Sequence, residues 1–333
     1  MFVHNAASQM ANYSPLGAVV KLQKNVKGEK TMPKIKDIKT KRQLIKALEV
    51  TEQDLQKSLS LPYRKGVINK NGKDRRLEKP NQTLKMILGK ILVELQKIEP
   101  PEYCQCGFKG QNNIKNAQKH LNQREIITLD VHACFQNSKD IYVRKFFEDK
   151  LNITGEALEI MLQLTTYRGH LPTGASTSPI LLFLSHQDLF DKIYNRMKQQ
   201  GITMTLYMDD ITLSAKQHIS GKAVKYIKNM LAEHEFRLNP DKIRRFGRNI
   251  GFVTGVVLKP GGKLDLPFKK NYEVIEILKS KEIKKMSLKE LQQLLGKINY
   301  VQRFHPERYV VTKRETIKQI NKLLKSYVVQ DYE

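Results

Sequence analysis

The sequence predicts an α+β protein in which antiparallel hairpins are interleaved with amphipathic helices. Three observations lead there. Ile202, Met204, Leu206 and Met208 alternate with Thr203, Thr205 and Tyr207, and Ile211 and Leu213 alternate with Thr212 and Ser214, so two strands meet near Asp209-Asp210. Asn71-Gly72, a strong hairpin-turn signal, joins two charged arms. Apolar residues recur at helical spacing over much of the remaining chain, as at Leu84, Ile87, Leu88, Ile91, Leu92 and Leu95.

Residues 1–33 lack periodicity and read as an irregular arm, ordered against a partner if at all. The apolar run Leu16 to Val20 is too short for a signal-peptide core. From Thr40 to Leu61 the pattern is helical, with Leu44, Leu48, Leu55 and Leu59 inward, a break at Val50-Thr51, and a cap from Thr51 and Asp54. The hairpin over 67–80 carries Lys70, Lys73, Arg75 and Arg76. It is either a solvated strand pair or a basic clamp for phosphates. The helix after Pro80 stops at Pro100-Pro101, and Asn113 to Leu121 forms a short helix.

Glu125 to Val131 reads as a buried strand ending in Asp130, a carboxylate that burial penalises unless it is paired or holds a metal. Residues 140–167 are helical with a break at Asn152 to Gly155. The small, hydroxylated stretch Gly169 to Pro179 feeds an apolar helix, Ile180 to Gln200. Such a stretch is either a plain capped loop or a close-approach site for an anion or nucleotide. Ser220 to Glu235 is amphipathic, and Leu238 to Lys242 is a turn. Gly251 to Leu258 and Lys263 to Leu266 read as a hairpin about Pro260-Gly261-Gly262. From Lys269 the chain is basic and helical. Ser287 and Glu290 make a capping box ahead of Leu288, Leu291, Leu294, Leu295, Ile298 and Val301.

The chain carries 59 Lys plus Arg against 33 Asp plus Glu, a net charge of +26 spread along its length. That excess opposes compaction unless a polyanion is the usual partner, and nucleic acid fits. An anionic membrane is disfavoured, because no apolar stretch of spanning length and no lipidation signal is present. Cys104, Cys106 and Cys134 do not build a disulfide framework, and Cys104-x-Cys106 lacks a second ligand pair at zinc spacing. Free thiols without a signal peptide point to a cytoplasmic setting. The adjacent carboxylates Asp209 and Asp210 read either as plain turn chemistry or as a cation site: with no glycine beside them, they repel unless a cation or proton sits between them, and a divalent metal suits such hard ligands.

The ordered set of basic hairpin, Leu129-Asp130 with Phe135, Leu171-Pro172-Thr173-Gly174-Ala175-Ser176-Thr177-Ser178-Pro179, Tyr207-Met208-Asp209-Asp210 and Leu238-Asn239 to Lys242 resembles the reverse transcriptase motif series. Asn116-Ala117-Gln118-Lys119-His120 resembles the Asn-Ala-x-x-His motif of retron reverse transcriptases, and Val253-Thr254-Gly255 their Val-Thr-Gly triplet. The resemblance covers roughly residues 35 to 325.

The resemblance implies a right-hand polymerase with fingers, an antiparallel palm sheet flanked by helices, and a helical thumb. It divides the chain into N-terminal helices and fingers over 34–118, palm over 119–262 and basic thumb over 263–333. It assigns Asp130, Asp209 and Asp210, with the backbone of Val131, to two Mg²⁺ ions, Mn²⁺ being an alternative. Lys73 and Arg75 would contact the incoming dNTP, Phe135 would exclude a ribose 2′-OH, Gly174 would shape the wall of the nucleotide site, and Lys242 would act near the leaving pyrophosphate. Asn116, His120, Val253, Thr254 and Gly255 are expected to recognise the cognate RNA, with local structural support as the competing role.

The implied activity copies part of a structured non-coding RNA into DNA from a guanosine 2′-OH of that RNA. The product is branched RNA–DNA (msDNA), made in anti-phage defence with a separate effector protein. No RNase H segment is expected after the thumb, and RNA trimming is expected to fall to a host enzyme. A group II intron-like or other defence reverse transcriptase, or a catalytically silent RNA-binding scaffold, is the alternative. The sequence departs from the family at Thr173 (commonly Gln), Ser176 (commonly Pro), Cys134 (commonly aromatic) and Met208 (frequently Ala in retron enzymes). None of these touches the expected metal ligands.

Overall fold

The computed structural model describes residues 32–60, 63–70, 73–247 and 250–330, without the side chains of Lys70, Lys73, Arg75 and residues 326–330. The expected N-terminal arm and the Asn71-Gly72 turn lie outside the described residues, apart from residues 32 and 33 of the arm.

Helices α1 (Lys41–Leu48) and α2 (Glu52–Ser60) come first. The expected cap of α2 forms, with the Asp54 N–H donated to Thr51 Oγ1 at 3.1 Å. Strands β1 (Tyr63–Lys70) and β2 (Lys73–Pro80) pair antiparallel from Tyr63↔Pro80 to Lys70↔Lys73. Then follow α3 (Gln82–Leu95), α4 (Asn113–Gln118), β3 (Glu125–Asp130), α5 (Cys134–Asn137), α6 (Asp140–Leu151) and α7 (Gly155–Thr165). The single helix expected over 180–200 is two, α8 (Ser178–Ser185) and α9 (Gln187–Gln199). His186 breaks it: its buried ring is bonded to Ser138 Oγ at 2.9 Å and packs on Tyr142, His234 and Phe236.

Strands β4 (Thr203–Tyr207) and β5 (Asp210–Ala215) form the expected Asp-Asp hairpin, followed by α10 (Gly221–Glu233), a 3-10 turn at Pro240–Lys242 and β6 (Arg244–Gly247). The expected strand Gly251 to Leu258 is itself a hairpin, β7 (Gly251–Val253) and β8 (Val256–Lys259), which continues through Pro260-Gly261-Gly262 into β9 (Lys263–Asp265). The terminal helices are α11 (Phe268–Ser280), α12 (Leu288–Gln302) and α13 (Val310–Gln330), and the Ser287/Glu290 capping box is present.

The central sheet runs β4-β5-β3-β6, antiparallel throughout. Because side chains alternate across a strand, its two faces differ in kind. Ile127, Leu129, Met204, Leu206, Ile211 and Leu213 join the large core built with α1 to α3 and α6 to α10. Burying each such side chain contributes about 1.5–3 kcal/mol. Thr128, Asp130, Thr205, Tyr207, Asp210, Thr212 and Ser214 share the opposite face. That polar face carries the site. A second core of Leu266, Val274, Met286, Leu291, Leu294, Ile298 and Val301 holds α11 to α13 together. A third, of Ala117, Ile126, Val253, Val256 and Leu258, packs α4 and the β7-β8-β9 sheet against β3.

Candidate active site

Asp130 ends β3 directly opposite Asp210, which begins β5. The Val131 N–H is donated to the Asp209 carbonyl at 2.7 Å. The Asp130/Asp210 pair therefore lies between inter-strand hydrogen bonds, where opposed Cα atoms approach to about 4.5 Å and side chains come closest. Asp209 completes the set from the two-residue turn Met208-Asp209 between Tyr207 and Asp210. With no glycine available, Met208 itself takes a left-handed conformation, φ 56°, a strain of roughly 1–3 kcal/mol.

The residues beneath the turn hold it. Leu206 accepts the Gln105 N–H at 2.9 Å and donates its own to the Tyr103 carbonyl at 2.8 Å, so this short segment lies along the outer edge of β4. It delivers Cys106, whose Sγ accepts the Met208 N–H at 2.8 Å. Cys104, Cys106 and Cys134 are free and buried. Interaction with the Cys104 thiol, then burial, push the Cys106 thiol well above its ordinary range. Nothing in the sequence pattern singled out this support, and the Cys104-x-Cys106 spacing alone pointed only to an unlikely zinc site.

Burial, then the charges of Asp209 and Asp130, push Asp210 well above the usual carboxylate range, with Lys242 opposing. Asp130, only 9% exposed, accepts a hydrogen bond from Lys242 Nζ at 2.7 Å. The Asp130 carbonyl accepts the Asn239 N–H at 2.8 Å, which docks the 239–242 turn on the end of β3. Among the described residues no three His, Cys, Asp or Glu side chains are already set to hold a metal ion. The donor chemistry nevertheless fits one. Three carboxylates gather at one sheet end, and the ionisation of Asp210 is suppressed by its neighbours in the way a bound cation relieves.

Other expected residues surround this end. Phe135 is half-buried on α5 against the large core, beside Cys134. Burial, then the charges of Asp209 and Asp130, raise the Cys134 thiol, so α5 lies close to the carboxylates. Gly174 lies against the β1-β2 hairpin, where a Cβ would sit 2.4 Å from the Glu78 carbonyl oxygen. Thr173 Oγ1 accepts the Glu78 N–H at 3.3 Å, and His170 Nε2 lies 3.1 Å from Glu78 Oε1. Thr173 thus ties this loop to β2. Lys73 and Arg75 are on β2, and their side chains lie outside the described residues.

Of the residues expected to recognise RNA, Asn116, His120, Val253 and Thr254 are buried and Gly255 is half-buried. Asn116 and His120 are both 0% exposed. His120 bridges the two strands of the Asp-Asp hairpin, with Nδ1 2.7 Å from Ser214 Oγ and Nε2 2.7 Å from Thr205 Oγ1. Burial, then the charge of Lys119, lower its pKa to about 3, so it is neutral. Asn116 Nδ2 donates to Thr254 Oγ1 at 3.2 Å. Val253 is buried, and Thr254-Gly255 is the turn between β7 and β8. Thr205 and Ser214 were missed as partners, although period-2 alternation places them on the Asp210 face. Strand β6 was missed because its residues Arg244 to Gly247 show no apolar alternation.

The site is thus an acidic cluster at the end of a paired hairpin, on the polar face of an antiparallel sheet backed by helices. The reverse transcriptase (RNA-dependent DNA polymerase) family matches residues 68–284, most of the chain, and the chain belongs to that family. Within the family its similarity is to retron reverse transcriptases. It is 27% identical over 193 residues to the retron Se72 reverse transcriptase of Salmonella heidelberg, covering 56% of this chain and 51% of that one. Identity to the retron Ec48 reverse transcriptase of Escherichia coli is 23% over 312 residues (84% and 75% of the two chains). To the retron Ec86 reverse transcriptase of Escherichia coli it is 27% over 203 residues (59% and 63%). The chain thus spans about half the length of the Se72 relative. Among solved structures, telomerase from Candida albicans gives a TM-score of 0.46 at 12% identity, over 77% of this chain and 56% of that one, a likeness too loose to bear weight. No helix among the described residues is long and apolar enough to cross a membrane.

Proposed function

We propose that the chain is the RNA-directed DNA polymerase of a retron, which copies part of a structured non-coding RNA into DNA from a 2′-OH of that RNA to give msDNA. The observation that carries this reading is the opposition of Asp130 and Asp210 at the sheet end, with Asp209 in the adjoining turn, in a chain of this family. Asp130, Asp209, Asp210 and the Val131 backbone would hold two Mg²⁺ ions, or Mn²⁺. When bound, such ions supply Lewis-acid activation of the attacking hydroxyl and charge neutralisation on the triphosphate.

The chain's own residues do the rest. Lys73 and Arg75 bind the dNTP phosphates, Phe135 stands against the sugar, and Gly174 lets the 170–174 loop seat the β1-β2 hairpin beside the nucleotide. Lys242, which pairs with Asp130 at 2.7 Å in the chain alone, would meet the departing pyrophosphate. In this reading residues 34–118 are the N-terminal helices and fingers, 119–262 the palm, and 263–333 the thumb. The net charge of +26 supports an RNA–DNA duplex as the resident ligand. A separate effector protein and a role in anti-phage defence in the cytoplasm belong to the same proposal.

The test is to express the chain with its flanking locus and analyse the nucleic acid that co-purifies. DNA joined to RNA through a debranching-sensitive 2′,5′ linkage is expected. RNA alone under dNTP-replete conditions would overturn the polymerase reading. Asp210→Asn is expected to bring DNA synthesis to background with RNA affinity kept, since the metal ions lose a ligand. Undiminished synthesis would remove Asp210 from the site.

A further inference from the structure

The Val253-Thr254-Gly255 triplet and the Asn116 to His120 helix meet in one hydrogen-bonded knot that also includes the terminal helices. Val253 pairs with Val256, which leaves Thr254 and Gly255 as a two-residue turn with both residues at positive φ, 46° and 85°. Glycine meets that demand freely. Asparagine or aspartate is the usual occupant of the first position, and a β-branched residue there is strained.

The threonine hydroxyl supplies a reason for its presence. Thr254 Oγ1 donates to the Asn113 carbonyl at 3.2 Å and accepts from Asn116 Nδ2 at 3.2 Å. Asn113 Nδ2 bonds the Thr254 carbonyl at 3.2 Å and Tyr300 Oη, on α12, at 3.0 Å. Two further contacts reinforce the crossing: Phe304 packs against both the terminal core and the β7-β8-β9 core, and His305 Nε2 lies 2.7 Å from Asp265 Oδ1 at the end of β9. Tyr300 also lies near enough to Tyr207, next to the carboxylates, for the two to interact electrostatically.

We propose that the strained Thr254 turn, clamped by Asn113 and Asn116 and joined by Tyr300, is a joint that fixes α12 on the central sheet and so sets the position of the terminal helices relative to the carboxylates. The two motifs then act on RNA through the placement of α11 to α13. Thr254 and Tyr300 are positioning residues. The structural part stands on the hydrogen bonds alone, whereas its consequence for synthesis rests on the polymerase reading.

The test combines hydrogen exchange with product-length analysis on the full chain. Tyr300→Phe removes one hydroxyl and leaves the ring. It is expected to speed amide exchange in 298–304 and 252–256 roughly fivefold to tenfold, the equivalent of one neutral hydrogen bond, and to leave β3 to β5 unchanged. Thr254→Val is expected to do the same and Thr254→Ser to restore protection. On a primed RNA template, Tyr300→Phe is expected to shorten products severalfold while addition of the first nucleotide stays within about twofold. Unchanged exchange at α12, or equal exchange in the Val and Ser variants, would overturn the joint. Faster exchange with unaltered product length would overturn its positioning role. A wild-type chain that makes no DNA would strike the polymerase reading, and with it the consequence for synthesis, and the exchange data would still decide the joint.

Discussion

His120 offers the sharpest separation between a buried strut and a surface contact. Its two ring nitrogens each lie 2.7 Å from a strand hydroxyl, Ser214 on β5 and Thr205 on β4, and all three residues are buried. His120→Leu keeps most of the volume and removes both partners. Each hydroxyl left buried without a hydrogen bond costs about 1–3 kcal/mol, so the pair predicts a loss of roughly 2–6 kcal/mol. For 333 residues, unfolding entropy of about 2.1 cal/mol/K per residue turns that into a fall of roughly 3–9 °C in Tm. The assay is urea unfolding of wild type and variant, paired with affinity for the cognate RNA at a temperature where both remain folded. The expected result is a lower urea midpoint at unchanged m, with RNA affinity within about threefold. An unchanged midpoint together with a tenfold or greater loss of RNA affinity would refute the argument and return His120 to the RNA surface.

Gly174→Ala places a methyl 2.4 Å from the Glu78 carbonyl, closer than any contact can be. The β1-β2 hairpin is expected to shift, with a severalfold rise in KM for dNTP in steady-state primer extension, while unaltered kinetics would mean that the loop gives way instead. Acid should loosen the fold through His120 and His186, each lowered to about 3 first by burial. Their folded values lie below the unfolded value of about 6.5, so the unfolded chain binds the proton first. Their stabilisation is complete above about pH 6.5 and falls by roughly 1.4 kcal/mol per pH unit per histidine as pH drops from there toward 3. Urea midpoints measured at pH 7.5 and 5 should diverge less in His120→Leu than in wild type, and equal divergence would exclude His120 as a contributor.

Most of the architecture was legible because it rests on local rules. Alternation located the Asp-Asp hairpin, helical spacing located the packed helices, and Ser287 with Glu290 marked the start of α12. The failures have physical causes. At His186 a ring sought partners across the fold and broke a helix that the apolar pattern ran straight through. At Thr254 two positive-φ residues turned an apparently continuous strand back on itself. That turn was hidden because threonine is a poor choice for it, and the choice makes sense only once Asn113 and Asn116 are beside the hydroxyl. The membership of the carboxylate end was legible from residue type and spacing, whereas Cys106 under Met208 was not, since its role depends on a segment laid along β4 from a distant part of the chain.

The same face of the sheet explains why the acidic end and the motif residues belong to one device. Asp130, Asp210, Tyr207, Thr205, Thr212 and Ser214 alternate onto it, so the hydroxyls that His120 holds lie on the same strands, and point the same way, as the carboxylates. α4 covers the far end of that face and in turn carries Asn113 and Asn116 to the Thr254 turn. From there Tyr300 leads into the terminal helices. A neutral histidine suits this position better than a charged group would, because it can donate through one nitrogen and accept through the other in a space that excludes water. Hydrogen bonds and packing run without a gap from the carboxylate hairpin to α12. A polymerase that must hold a duplex at one place and add nucleotides at another needs such continuity, since a displacement of about 1 Å at the reacting centre can cost on the order of a hundredfold in rate.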